Sequence, residues 1–227
     1  MAKRISDETR IKQKRGSGHG KNYKPWILPR ELKSLSTTSA YFDSRVGRQI
    51  SLLSEGEKMV YLALAWRDDV SEIREQFPLD LSDTISIARY YGIRHPMFAG
   101  KNIIMTSDFL VDFIDGTQKV YSVKSNYESI IDERTAEKIF VEKRYWESKG
   151  VEYVMIFKDS DVNAVYARNI RTVMAYYDLK VFDSIESAIM YLIAHKIIQI
   201  DMTLDPLPIQ QLKEFLLKKP KYLNMIA

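Results

Sequence analysis

The sequence predicts a mixed α/β fold, a sheet domain flanked by helices and followed by a smaller, mainly helical domain. Three observations carry this. β-Rich runs at 71–79, 103–114, 119–125 and 151–157 alternate with segments of helical periodicity, and beyond about residue 160 helical patterns dominate. A chain of 227 residues suits one large domain or a core with a small companion. It contains no cysteine, so neither disulfides nor thiolate-bound metals hold it together, and thiol nucleophiles are excluded.

The elements follow in order. Residues 1–35 carry ten Lys or Arg and three acids, a net +7 on a chain whose total is +4. This basic arm, with Arg15-Gly-Ser-Gly-His-Gly-Lys21 in its middle, has the charge expected of a polyanion binder; the plain alternative is a solvated tail. Ser54-Glu-Gly-Glu57, followed by Met59, Leu62, Ala63 and Trp66, reads as a capping box and a helix over 54–66. A strand is expected from Ser71 to Leu79, ending at Pro78, and then a helix from Asp83 to Tyr91 closed by Gly92. Asp115-Gly116-Thr117 between two β-rich runs signals a hairpin, because glycine supplies the positive φ of the turn.

Residues 132–147 place Ala136, Ile139, Phe140, the stem of Lys143 and Trp146 along one helical stripe, with Gly150 as the stop. Val151 to Phe157 reads as a short buried strand that ends a sheet domain spanning 36–160. In 161–227, helices are expected at 162–177, 184–195 and 206–219, with a strand or extended arm at 196–203. The longest apolar run, Ala188 to Ala194, is too short to span a bilayer, and Met-Ala-Lys-Arg at the start lacks the apolar stretch expected of a signal peptide. A cytoplasmic protein with no membrane partner is expected.

His19, His95 and His195 are too scattered for a zinc site, so any metal is expected to be bound through oxygen. Asp108 and Lys124 lie inside the two β-rich runs of the hairpin, where a charge needs a partner. A cross-strand ion pair is the plain account. With an odd loop, for example one pairing 108 with 124, the two residues share a face. A carboxylate and a lysine on adjacent strands, with an acid on a preceding helix, form the constellation of metal-dependent phosphodiesterases of the restriction-endonuclease type. Carboxylates hold Mg²⁺ at about 2.0–2.1 Å, the ion makes hydroxide available near neutral pH, and the lysine offsets charge developing on the phosphate. Glu57 is the candidate helix acid, with the N3 partner of the Ser54 cap as its rival role.

The wording of several segments goes further. Through Arg15-Gly-Ser-Gly-His-Gly-Lys-Asn-Tyr-Lys-Pro-Trp26, Leu53-Ser-Glu-Gly-Glu57, Ile73-Arg-Glu-Gln-Phe-Pro-Leu79, Gly92-Ile-Arg-His-Pro96, Thr106-Ser-Asp-Phe-Leu-Val-Asp112, Val123-Lys124, Asp132-Glu-Arg-Thr and Arg144-Tyr-Trp146, the chain resembles the TnsA family, endonuclease subunits of heteromeric cut-and-paste transposons. The resemblance covers roughly residues 10–160. It implies a restriction-endonuclease-like core in which Glu57, Asp108 and Lys124 are catalytic, and Glu57, Asp108 and the Val123 carbonyl bind Mg²⁺, with Mn²⁺ as a substitute. The implied reaction nicks the 5′ strands of double-stranded DNA at transposon ends, alongside a TnsB-like transposase subunit for the 3′ strands and a TnsC-like AAA+ regulator. Arg15, Lys21, Lys24, Lys143 and Arg144 are the candidate DNA contacts. Where restriction-type nucleases usually carry Glu or Gln two residues before the lysine, this chain has Ser122, a weaker ligand. The family's C-terminal region resembles a winged-helix or helix-turn-helix module. Here 161–227 holds eight Lys or Arg and seven acids, a balance that suits protein contact as well as DNA.

Overall fold

A computed structural model describes residues 5–31 and 39–218. The chain forms two compact units, 1–162 and 163–227. In the first, strands β1 (Ser39–Asp43) and β2 (Arg48–Leu52) make an antiparallel hairpin ahead of helix α2 (Glu55–Ala65); helix α1 (Asp7–Lys12) precedes them. Strand β3 (Val70–Pro78) leads through helix α3 (Leu81–Tyr90) and the tiny hairpin β4 (Met97–Phe98) and β5 (Lys101–Asn102) to strand β6 (Thr106–Phe113). Strand β7 (Gln118–Lys124), helix α4 (Glu133–Ser148), strand β8 (Glu152–Phe157) and the one-turn helix α5 (Lys158–Asp161) complete the unit.

The central sheet has the order β3-β6-β7-β8. Its first three strands are antiparallel neighbours, and β8 joins β7 in parallel after the crossover through α4. One face packs Phe109, Val111 and Tyr121 against Val60, Tyr61 and Leu64 of α2 and Ile50 and Leu52 of β2. The opposite face packs Leu110 and Val120 against Tyr145 and Trp146 of α4, with Leu79 alongside. Fully burying each large apolar side chain contributes about 1.5–3 kcal/mol, so these two layers fix the sheet between its helices.

The helix starts follow from capping. Ser54, Asp80 and Asp132 each present a side-chain oxygen to a first-turn amide of α2, α3 and α4, leaving fewer amides unsatisfied. The β6–β7 turn closes as a three-residue loop between Phe113 and Thr117, with Gly116 at φ +84°. The β1–β2 hairpin turns through Gly47 at φ +70°, whose amide donates to the Asp43 carbonyl at 2.8 Å, and it is also anchored by buried charge. Arg48 reaches Glu75 of β3 at 2.7 and 2.8 Å, and Tyr61 donates to Asp43 at 2.8 Å.

Residues 5–31 fold against this unit instead of forming the solvated tail that charge counting allows. Arg10 and Arg15 both pair with Glu31 and are buried, and the Ile104 amide donates to Asp7 at 2.8 Å. Gly16 has φ +71°, and a Cβ there would lie 2.1 Å from Pro78 Cγ, so only glycine lets this segment lie against the end of β3.

The second unit contains helices α6 (Ala164–Met174), α7 (Ile185–Ala194) and α8 (Ile209–Lys218). Ile170 and Val173 of α6, Ile189 and Ile193 of α7, Leu216 of α8 and, in the connecting turns, Met202 are buried within it. The strand or extended arm expected at 196–203 is replaced by turns, and no strand occurs among the described residues of this unit. No described helix is long and apolar enough to cross a membrane.

Candidate active site

The site starts at the cap of α2. Ser54 Oγ accepts the Glu57 amide at 3.0 Å, and Glu57 Oε2 accepts the Leu53 amide at 2.8 Å and Gln76 Nε2 at 3.1 Å. The Glu57 carboxylate takes the Leu53 amide and the Ser54 hydroxyl instead of the Ser54 amide, so the reciprocal half of the expected capping box is absent. Gly56 brings the helix close to β7: a Cβ there would sit 3.3 Å from Val123 Cγ1 and from Lys158. Glu57 is 7% exposed, and burial, with the Asp108 charge second, raises its carboxyl well above the ordinary carboxylate range.

Asp108 stands where the sheet opens. The β6–β7 ladder runs from Asp112↔Gln118 to Phe109↔Tyr121, and beyond it Asp108 Oδ2, not a backbone carbonyl, accepts the Val123 amide at 2.7 Å. Extending that register puts Ser122 opposite Asp108, not Lys124 as expected from the sequence. The parity of the odd loop is kept, so 108, 122 and 124 share a face. Lys124 Nζ is 3.8 Å from Asp108 Oδ2 and donates to Ser122 Oγ at 3.0 Å and the Val123 carbonyl at 3.1 Å. Glu57, Asp108, Val123, Lys124, Ser129 and Lys158 line one open cavity of about 480 Å³.

The comparisons with known proteins reach part of this region. The family described as "TnsA-like endonuclease N terminal" matches residues 67–158, which contain the β6–β7 hairpin and α4. The Escherichia coli protein "Transposon Tn7 transposition protein TnsA" is 42% identical over 162 residues, covering 71% of this chain. Over these residues the chain is similar to the TnsA family. It spans about 59% of the length of that relative.

The candidate site has a buried acidic neighbour that the sequence reading passed over. Glu142 of α4 is 7% exposed, its Oε2 accepts from Tyr153 at 3.2 Å, and its Oε1 has no hydrogen-bond partner. Burial, then the Asp108 charge, pushes its carboxyl up to about 7. The expected stripe on this helix is rotated: Val141, Glu142, Tyr145 and Trp146 are buried, whereas Phe140 and Lys143 are exposed. Counting only apolar residues passed over Glu142, although it stands four residues before the stripe's own Trp146.

The candidate DNA contacts divide. Lys21 and Lys24 are exposed on the N-terminal segment. Lys143 and Arg144 are exposed on α4, each close to Glu147, and Arg144 lies over the Tyr91 ring. Arg15 is a correction: its guanidinium is enclosed by Glu31, Gln13 and the Trp26 carbonyl, so it faces the protein interior and is not presented to a phosphate. A separate group of possible ligands, His19, Glu72 and Asp112, lies outside the cavity. Arg74 donates to Asp112 at 2.7 Å and His19 bonds Glu72 at 2.7 Å, so these acids already have partners.

Proposed function

We propose that this chain is a Mg²⁺-dependent DNA endonuclease that nicks the 5′ strands at transposon ends, acting with a TnsB-like transposase subunit and a TnsC-like AAA+ regulator on double-stranded DNA. The observation that carries this reading is the gathering of Glu57, Asp108, the Val123 carbonyl and Lys124 around one cavity where the β6–β7 ladder ends. Likeness to the Tn7 protein supports the transposition context. Residues 36–160 are proposed as the catalytic domain and 161–227 as the docking domain for DNA or a partner subunit.

The donor set fits the proposed ion. Two carboxylates and a carbonyl are hard oxygen ligands of the kind Mg²⁺ and Mn²⁺ select, and Glu57, buried beside a second acid, is a carboxylate whose ionised form calls for a compensating cation. When bound, such an ion lowers the pKa of water and neutralises charge on the phosphate. The chain's own groups do the rest. Glu57 and Asp108 would hold the ion at the cavity they line. Lys124, fixed by Ser122 Oγ and the Val123 carbonyl, keeps an ammonium beside the phosphate as negative charge builds during attack.

A plasmid carrying an element end, incubated with Mg²⁺ or Mn²⁺ and with or without the transposase subunit, tests the proposal. Nicking that requires both metal and partner supports it. Nicking of any plasmid by the chain alone would indicate a stand-alone structure-selective nuclease, and no nicking under either condition a non-catalytic docking subunit. The same assay reads Ser122→Ala, which removes an acceptor from the Lys124 ammonium. Hydrogen bonds to charged groups contribute about 1.5–3 kcal/mol, discounted here because Lys124 is partly exposed, so a loss of about tenfold in nicking rate is expected. A rate equal to wild type would show that the remaining contacts are enough to place Lys124.

A further inference from the structure

One residue in β3 adopts a backbone that strands avoid. Gln76 has φ +49°, is not glycine, and is 2% exposed. Left-handed backbone at such a residue is unfavourable and persists only when its surroundings impose it. The ladder shows what it changes. Glu75 pairs with Phe109 and Phe77 with Ser107, so Gln76 stands directly across from Asp108. Ile73 packs into the α2-side core, and with regular alternation Phe77 would do the same; instead Phe77 lies against Trp146 on the α4 side. On the facing strand Ser107 accepts the Trp146 indole from the α4 side, although Phe109, two residues on, belongs to the α2-side core. The alternation of both strands is reset at the same rung.

The reset aims an amide. Gln76 Nε2 donates to Glu57 Oε2, the oxygen that also takes the Leu53 amide. Oε2 is thus held from two directions, and Oε1 has only the Ser54 hydroxyl at 3.2 Å. The N-terminal segment holds this backbone from outside: the Trp26 amide donates to the Gln76 carbonyl at 3.1 Å, and Tyr23 Oη donates to the Glu75 carbonyl at 2.9 Å. Trp26 and Tyr23 are themselves buried.

We propose that Gln76 is the positioning residue of the site: its left-handed backbone, clamped by Tyr23 and Trp26, directs its side-chain amide onto one oxygen of Glu57 and leaves the other, which takes only the Ser54 hydroxyl, to face the ion. This deepens the nuclease reading and rests on it. It also gives the folded N-terminal segment a task inside the protein, apart from any contact of its lysines with DNA.

The test uses the full-length chain and Mn²⁺ as probe, with binding followed by electron paramagnetic resonance without DNA, alongside thermal unfolding. Gln76→Gly removes the amide but suits the backbone, since glycine adopts positive φ freely. Gln76→Asn is the second variant: asparagine tolerates the same conformation, yet its amide ends one methylene short of Glu57. Both are expected to unfold cooperatively near the wild-type temperature and to bind Mn²⁺ about tenfold more weakly, the usual scale for losing a group that orients a ligand. In the assembled nicking reaction the Mg²⁺ needed for half-maximal rate rises, and the rate at saturating Mg²⁺ recovers. Wild-type Mn²⁺ affinity in both variants, with Asp108→Ala weakened, overturns the role of Gln76 and leaves the nuclease reading standing. No Mn²⁺ binding by the wild type, or binding unaffected by Asp108→Ala, overturns the nuclease reading and this inference with it.

Discussion

Asp108→Ala is expected to abolish metal-dependent cleavage, by about a thousandfold or more, while the protein stays folded. A lost ion ligand removes several kcal/mol of transition-state stabilisation, and each ~1.4 kcal/mol is a factor of ten. Ser122, which the register places opposite, offers only a hydroxyl that already accepts from Lys124. The folding balance is close to neutral for identifiable reasons. The Val123 amide loses its acceptor, which is unfavourable by about 1–3 kcal/mol where water cannot reach. Against that, the Asp108 charge is the second-largest cause raising both Glu57 and Glu142, and its removal eases the ionisation of both. Nicking assays and thermal unfolding on one preparation check both halves. A variant that cuts close to the wild-type rate would take Asp108 out of the chemistry.

Glu142→Gln is expected to stabilise the metal-free protein at pH 8 and to make little difference near pH 4.5. The native carboxyl titrates at about 7, against an ordinary value of 4.5, because burial penalises its charged form. Between those values the native state keeps a proton that the unfolded state has released, so stability falls as pH rises through this window. At one pKa unit per ~1.4 kcal/mol, the loss amounts to about 3 kcal/mol once the group is ionised in both states. Glutamine has no charge to bury and escapes it. Unfolding temperatures at pH 5 and pH 8 without divalent ions measure the effect: the gap between variant and wild type should widen with pH, and a constant gap would show that Glu142 is not held protonated.

Much of the sheet was legible because its signals are local. Ser54 and Asp132 mark helix starts, and Asp115-Gly116 marks the hairpin whose odd loop keeps Asp108 and Lys124 together. Charged residues inside β-rich runs drew attention to both before any geometry was known. What escaped is non-local. Arg10 and Arg15 read as free cations because a charge count does not show that Glu31 lies between them. The β1–β2 hairpin rests on Arg48–Glu75 and Tyr61–Asp43, pairs separated by 27 and 18 residues. Gln76 looks ordinary in sequence because its conformation is imposed by Trp26 and Tyr23, about fifty residues earlier in the chain.

The amide of Val123 has a consequence of its own. Elsewhere in β6 and β7 an amide exchanges its proton with solvent only when two backbones separate. At Val123 the acceptor is the carboxylate of Asp108, so swinging a single side chain frees the proton while the strands remain paired. Deuterium uptake at this one position therefore follows the motion of the acid itself, separately from the unzipping of the sheet. A ligand that draws Asp108 away would hasten exchange at Val123 and leave Val120 and Tyr121 protected.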